Sequence, residues 1–380
     1  METRNANNVR RVLILGGYGN FGRRIVENLS RLSGITLIIA GRDVSKAENL
    51  RQQLSSIGSR AVLETAAIDI NANAFAGTLE SIAPDLVIHT SGPFQGQGYR
   101  VPETCIALGC HYIDLADDRH FVCNITTLDK LAKDRGVLIV SGASSVPGLS
   151  STVVDHYAKE FSALETIDFA IAPGNQAERG EATVRGILSY TGHPFSVYLH
   201  GKWVDTFGWM GPRRLDFGEP IGKRWLADID IPDLQLFPHR YKGIKTVKFQ
   251  AGLELPILHF GMVVMAWLAK IGIVKSWARL TSPIFRASEF FKGFGSDIGG
   301  MQINLFGRDD HLQEKRIKWT LCAQDGVGPY IPTVSAIILA KKLIAGEIDM
   351  KGATPCLGLF SIADFDKEAL PLGISHQLER

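Results

Sequence analysis

The 380-residue chain has few cysteines, almost no net charge and a single long apolar run, and each shortage narrows what it can be. Its five cysteines (Cys105, Cys110, Cys123, Cys322 and Cys356) include no C-x-x-C pair and stand at no ligand spacing from a histidine. Neither a zinc framework nor a disulfide scaffold is therefore expected; a metal-free protein in a reducing cytoplasm is. With 41 basic and 39 acidic residues the net charge is +2, and no basic stretch is interleaved with aromatics, so nucleic acid is not an expected partner. The opening METRNANNVRR lacks the apolar core of a secretory leader, and secretion is not expected.

The one long apolar run is LPILHFGMVVMAWLAKIGIV, residues 255–274, interrupted by His259 and Lys270. It reaches the ~20 residues a spanning helix needs, so length alone decides nothing. Three readings stand: a buried helix or subunit contact, an interfacial helix flanked by Lys275 and Arg279, and, last, a true span.

What the chain does have is the composition of a globular protein, 45% hydrophobic and 21% charged, at a length that favours two domains. Strand-like and helix-like patterns alternate through the first 150 residues: Val12 to Leu15, Thr36 to Ala40, Ala61 to Ile68, Leu86 to Thr90, His111 to Leu115 and Val137 to Val140, with helical stretches between. The expected fold is α/β, a Rossmann doubly wound parallel sheet with an inserted α+β second domain. Boundaries are expected at 1–148 for the Rossmann domain and 149–325 for the α+β domain, which carries substrate and dimer contacts. Residues 326–380 are expected to pack back on the Rossmann domain. In the second domain Thr166 to Ala172, Ala182 to Tyr190 and Lys245 to Leu253 read as strands; Thr333 to Ala345 reads as a helix closed by Gly346.

The sharpest local signal is VLILGGYGNFGRRIVENL, residues 12–29. Gly17, Gly19 and Gly22 stand in G-x-G-x-x-G register between a strand and a helix, where backbone amides and the helix dipole attract a diphosphate. Gly17, Tyr18, Gly19, Asn20, Phe21 and Gly22 are thus candidate cofactor-binding residues. At the end of the second strand Arg42 occupies a place where an NAD enzyme carries an acid, and a guanidinium there can grip a 2'-phosphate, favouring NADP over NAD. The neighbouring Asp43 is expected to cap the next helix. Asp69, ending the third strand, could meet adenine or simply form a turn.

The segment DLVIHTSGPFQGQGYRVPETCIALGCHYIDLADD, with Gly92, Pro93, Phe94, Gly98, Cys105, Gly109, His111, Tyr112, Asp114 and Leu115, resembles the saccharopine dehydrogenase family in its NADP-binding, saccharopine-reductase-like branch. Residues 128–158 and 328–348 are similar to later parts of the same family. The resemblance implies an NADP(H)-dependent oxidoreductase transferring hydride at a C–N bond (an imine or secondary amine) or a similar polar carbon, often as a homodimer. It places Ser91, Gly92 and Pro93 on the cofactor side and Phe94, Pro147 and Gly148 on the substrate side. The loop Gly142 to Pro147 departs from the family pattern in having no acid.

Candidates for the chemistry are weaker. Tyr99, on the loop after Phe94, is read as a substrate contact and a catalytic candidate, with plain solvent exposure as the alternative. His111 and Asp114 are further catalytic candidates, although His111 reads more naturally as a structural histidine. Ser150 begins a helix whose amino end could receive an acidic group. Arg179 and Arg185, read as lying on early strands of the second domain, could fork a carboxylate. Two other functions stay open: an NADP(H)-binding sensor or scaffold without turnover, and a membrane-surface reductase of a lipid-linked substrate reached through residues 255–274.

Overall fold

The computed structural model describes residues 9–380, so the first eight residues of the stretch read for a leader lie outside it. The chain divides into two compact units. One takes the chain through Leu149 together with Tyr330–Phe360; the other takes Ser150–Pro329 together with Ser361–Arg380.

In the first unit strands and helices alternate as β1 (Arg11–Leu15), α1 (Asn20–Leu29), β2 (Thr36–Gly41), α2 (Val44–Ser56), β3 (Val62–Ala67), α3 (Phe75–Ile82), β4 (Leu86–His89), α4 (Arg100–Ala107), β5 (His111–Asp114), α5 (Arg119–Cys123), α6 (Asp129–Asp134) and β6 (Leu138–Ser141). The chain passes into the second unit through α7 (Ser150–Tyr157), β7 (Ala163–Ala172), α8 (Glu181–Tyr190), β8 (Pro194–Leu199), β9 (Lys202–Phe207), β10 (Arg213–Asp216), β11 (Lys223–Asp228), α9 (Asp233–Arg240), β12 (Thr246–Ala251), α10 (Pro256–Lys270), α11 (Thr281–Glu289), β13 (Gly299–Arg308) and β14 (Glu314–Ala323). It returns with α12 (Ile331–Ile344) and β15 (Gly352–Pro355), then closes in the second unit with α13 (Ile362–Ala369) and β16 (Ser375–Glu379).

The first unit is a seven-stranded sheet in the order β15-β6-β5-β4-β1-β2-β3, every pair parallel. Parallel strands covered on both faces carry continuous apolar runs, and β1 shows why: Val12, Leu13 and Ile14 are wholly buried. The strand order reverses direction at β1, whose neighbours are β4 and β2, and ligands of such sheets bind at the carboxyl ends of the strands beside that reversal. The helix α12 is apolar nearly all round and buried along most of its length, and it packs on α1.

The second unit is built on a nine-stranded mixed sheet in the order β10-β11-β12-β7-β13-β14-β16, with β8 and β9 off that path; β12 and β7 run parallel. Two expectations change here. Ala182 to Tyr190 is not a strand but lies in α8: its β-branched residues suggest a strand, yet Val184, Ile187 and Leu188 fall at helical spacing and Leu188 is buried. The last twenty residues do not join the Rossmann unit, because β16 pairs antiparallel with β14, Lys318 opposite Glu379 through Cys322 opposite Ser375.

The apolar run of residues 255–274 forms the 15-residue α10. At ~1.5 Å per residue such a helix is ~22 Å long, short of a ~30 Å hydrocarbon core. Among the described residues no helix is long and apolar enough to cross a membrane.

Candidate dinucleotide site

The turn from β1 into α1 is held by backbone bonds. Gly16 and Gly17 both donate to the carbonyl of Ala40 at the end of β2 (2.8 and 3.0 Å), and Gly19 donates back to Gly16 (2.8 Å). The left-handed residue is Gly16 (φ +78°), so the turn depends on a glycine one position before the motif. At Gly22 a Cβ would lie 2.2 Å from the Gly16 carbonyl oxygen, which is why only glycine lets α1 sit this close to the turn. At Gly19 a Cβ would meet nothing but that same oxygen, at 3.1 Å. Gly19 also begins α1 without a side-chain cap, and no acid stands in the first turn. The leading amides of the helix, those of Asn20 and Phe21 among them, have no acceptor within the helix. The Arg24 guanidinium, buried, holds both the carbonyl and the side-chain oxygen of Asn20 and lies 5.0 Å from the Tyr330 ring centre.

Beside this turn, Tyr18 packs so closely on Gly41 that a Cβ there would lie 2.5 Å from its ring, and its hydroxyl accepts from the Asp43 amide (3.0 Å). Asp43 accepts from the amides of Ser45 and Lys46 (3.0 and 3.3 Å), the helix cap read from the sequence. Arg42 between them is exposed and makes no hydrogen bond or ion pair among the described residues. Asp69 accepts from the Asn71 amide (2.9 Å), the turn-forming alternative.

The carboxyl ends of β4, β5 and β6 hold the remaining candidates. Gly16 is the neighbour of Ser91, since a Cβ on it would meet the Ser91 and Thr90 hydroxyls at 2.8 Å. Gly92-Pro93 is a cis peptide, and the Gln97 side-chain amide donates to the carbonyls of Ser91 (3.0 Å) and Pro93 (2.7 Å). Phe94 is buried, with ring centres 5.0 Å from His89 and 5.3 Å from Phe121. His89 in turn shares a hydrogen bond with the Tyr112 hydroxyl (3.0 Å), and burial pushes its pKa down to about 3, so the ring is neutral.

Several candidates prove to be committed elsewhere. The Tyr99 hydroxyl donates to the Phe121 carbonyl (2.8 Å), and burial, with the Asp114 charge second, pushes it up to about 12. That proton is spent on the backbone, which counts against Tyr99 as a catalytic candidate. Its neighbour Arg100 is likewise tied to the carbonyls of Ile70 and Ala72 (3.1 and 2.6 Å). His111 opens β5, at the edge opposite the one Asp114 closes, and its Nδ1 accepts from the Leu138 amide (2.9 Å); it is a structural histidine.

Asp114 is wholly buried. One oxygen, Oδ1, accepts from the amides of Gly142 (2.8 Å) and Ala116 (2.9 Å) and from the Ser141 hydroxyl (3.0 Å), so it fastens the end of β5 to the loop after β6. Oδ2 has no hydrogen-bond partner among the described residues. Burial pushes the carboxyl up to about 6 against the pull of those donors. Without exposed surface, Asp114 positions the loop after β6.

Pro147 and Gly148 are also packing residues. A Cβ on Gly142 would meet the Pro147 ring at 2.7 Å, and one on Gly148 would meet the Ser335 hydroxyl of α12 at 2.8 Å. In the second unit the Ser150 hydroxyl is bonded to the buried Asp233 carboxylate. Arg179 lies in a loop and reaches the Ser288 carbonyl and Glu289 (3.4 Å each), while Arg185 is exposed on α8; neither lies on a strand.

Residues 12–140 match the family described as the saccharopine dehydrogenase NADP binding domain. This stretch of the chain is similar to that NADP-binding domain. The chain is 30% identical, over 164 residues, to two Mycobacterium tuberculosis proteins, of strains H37Rv and CDC 1551, each provisionally named a trans-acting enoyl reductase. The match covers 41% of this chain and 38% of each of those proteins. Apo saccharopine dehydrogenase (L-Glu forming) from Saccharomyces cerevisiae superposes on 98% of this chain and 100% of its own, with a TM-score of 0.68 at 12% identity, a likeness of fold.

NADP is the cofactor of a saccharopine dehydrogenase domain of this kind, and the residues present fit it. Gly19 leaves space where a side chain would block a diphosphate, the first amides of α1 point without acceptors, Arg42 is free for a phosphate and Asp43 is turned to its own helix. Replacing Gly22 by Ala is expected to force α1 off the turn, costing about 1–3 kcal/mol of stability and abolishing NADPH binding. Thermal melting and calorimetric titration check it, and an unshifted melt with intact binding would contradict the packing described. The motif at Gly17 to Gly22 was legible from spacing. Gly16, Arg24 and Gln97 were not singled out, although the doubled glycine of LGGYG hinted at the first.

Proposed function

We propose that the protein is an NADP(H)-dependent oxidoreductase that transfers hydride to or from a carbon polarised by nitrogen, an imine or secondary amine. The observation that carries the reading is the glycine turn with free helix amides on one side and the unpaired Arg42 on the other. When bound, the nicotinamide supplies the hydride chemistry. The chain's part is to bind and orient: the amides of α1 take the diphosphate, Arg42 takes the 2'-phosphate, and Gln97 fixes the turn through Ser91, Gly92 and Pro93 at the carboxyl edge of the sheet. The family resemblance supports a C–N substrate. The naming of the mycobacterial relatives supports a second acceptor, a carbon-carbon double bond conjugated to a carbonyl.

A cofactor-bound protein without turnover is the other reading. It is favoured by the fate of the proton-donor candidates, since Tyr99 is spent on a carbonyl, His111 stands at the wrong edge and Asp114 has no surface. Purified protein with NADPH and a panel of imines, keto acids paired with amines, and enoyl thioesters should show nicotinamide oxidation with at least one imine. Oxidation with enoyl thioesters alone moves the assignment to the second acceptor, and tight NADPH binding with no oxidation by any member leaves the sensor reading.

A further inference from the structure

We propose that α10 and the segment after it form a docking surface for an anionic lipid bilayer, lying in its headgroup layer. One face of α10, with His259, Met262, Val263, Ala266 and Ala269, is buried in the second unit. The opposite stripe is where a helix of a water-soluble protein places polar groups. Here it reads Ile257 (65% exposed), Phe260, Val264 (58%), Trp267 (53%) and Ile271 (62%), at intervals of three and four residues. Ile273, 67% exposed, prolongs it. An uninterrupted apolar face of this kind calls for a covering.

The charges beside the stripe say what the covering is. From Leu255 to Ser288 the chain holds Lys270, Lys275, Arg279 and Arg286 and no Asp or Glu. Lys270 places its amine 5.0 Å from the exposed Trp267 ring centre and 4.0 Å from that of Phe207. Lys275 and Arg279 are exposed and make no ion pair among the described residues. The Trp277 ring N–H donates to the Met265 carbonyl (2.8 Å), which folds the stretch carrying those two cations back beside α10. Apolar side chains with a tryptophan, rimmed by unpaired cations, complement acyl chains beneath negative headgroups. A second copy of the chain docked through the same face would set these cations against their own kind with no acid in the stretch to answer them. This surface stands independently of whether the nucleotide domain turns over.

The experiment is co-sedimentation of the full chain with vesicles of phosphatidylcholine alone and of phosphatidylcholine mixed with phosphatidylglycerol, at low and high salt. Binding is expected on the anionic vesicles, weakened by salt, with little on the neutral ones. Val264→Asp, and separately Trp267→Ser, should reduce partitioning at least about tenfold. Lys275→Glu combined with Arg279→Glu should reduce it about as much on anionic vesicles only, since each headgroup-facing cation contributes roughly fivefold. An unchanged melting temperature and unchanged NADPH affinity show that each variant is folded. The proposal is overturned if the wild-type chain ignores anionic vesicles, if the variants bind them as well as it does, or if Val264→Asp merely converts a dimer into monomers.

Discussion

Replacing Arg42 by Asp is expected to weaken NADPH binding by about a hundredfold or more, while NADH binding changes less than about tenfold. The direction follows from three neighbours. Gly41 leaves no side chain between the strand end and the Tyr18 ring, Tyr18 accepts from the Asp43 amide, and the Asp43 carboxylate is occupied by the first amides of α2. Arg42 is left as the exposed cation at this corner. A guanidinium bonded to a phosphate contributes about 1.5–3 kcal/mol, and an aspartate in its place adds like-charge repulsion on top of that loss. Arg42→Ala should give the smaller effect, the loss without the repulsion. Titration calorimetry with both reduced cofactors reads the result, and a similar loss for NADH and NADPH would remove Arg42 from the site.

The second large effect concerns Asp114. Its carboxyl sits at about 6 in the folded protein, above the ~3.9 of an unperturbed aspartate. Between those values the folded state holds the proton and the unfolded state has lost it, so stability falls as pH rises through the window and is lowest once the group is ionised in both states. The whole swing is about 3 kcal/mol. Asp114→Asn keeps an oxygen for the amides of Gly142 and Ala116 but carries no charge, so it should escape that decline. The difference in melting temperature between variant and wild type should therefore move in the variant's favour from about pH 4 to about pH 7. A difference that is constant across this range would mean that the buried carboxylate carries no such burden.

How much of this was readable beforehand depended on the distance over which each signal acts. The parallel sheet and the phosphate turn were legible because β1, β2 and β4 are apolar without interruption and because the glycines of the turn are set by contacts within seven residues, Gly22 against Gly16. The cap at Asp43 was equally local. Reading failed where a partner is remote. Nothing in SHQLE announces pairing with a strand over fifty residues earlier, so the place of β16 in the second unit is not legible from the sequence. Tyr99 looked like a loop residue free for substrate because the Phe121 carbonyl that holds it belongs to another helix. Asp114 looked like an acid beside a cofactor until the loop after β6 closed over it. The three readings of α10 stayed open for the opposite reason: both of its faces are apolar, and only packing tells which one is covered.

The placement of α12 and β15 bears on how the molecule can be made and dissected. Gly148 is shaped to receive Ser335, the Ser335 hydroxyl donates to the Ser144 carbonyl (2.8 Å), and β15 covers the outer edge of β6. A ribosome therefore releases Ser150–Pro329, the bulk of the second unit, before it releases the last strand of the first sheet. Until then the flank of β6 and the bed of α12 lie bare, at the stage when a nascent chain most needs a chaperone. For the same reason a nucleotide-binding fragment cannot be cut out at residue 149; residues 330–360 have to be spliced onto it.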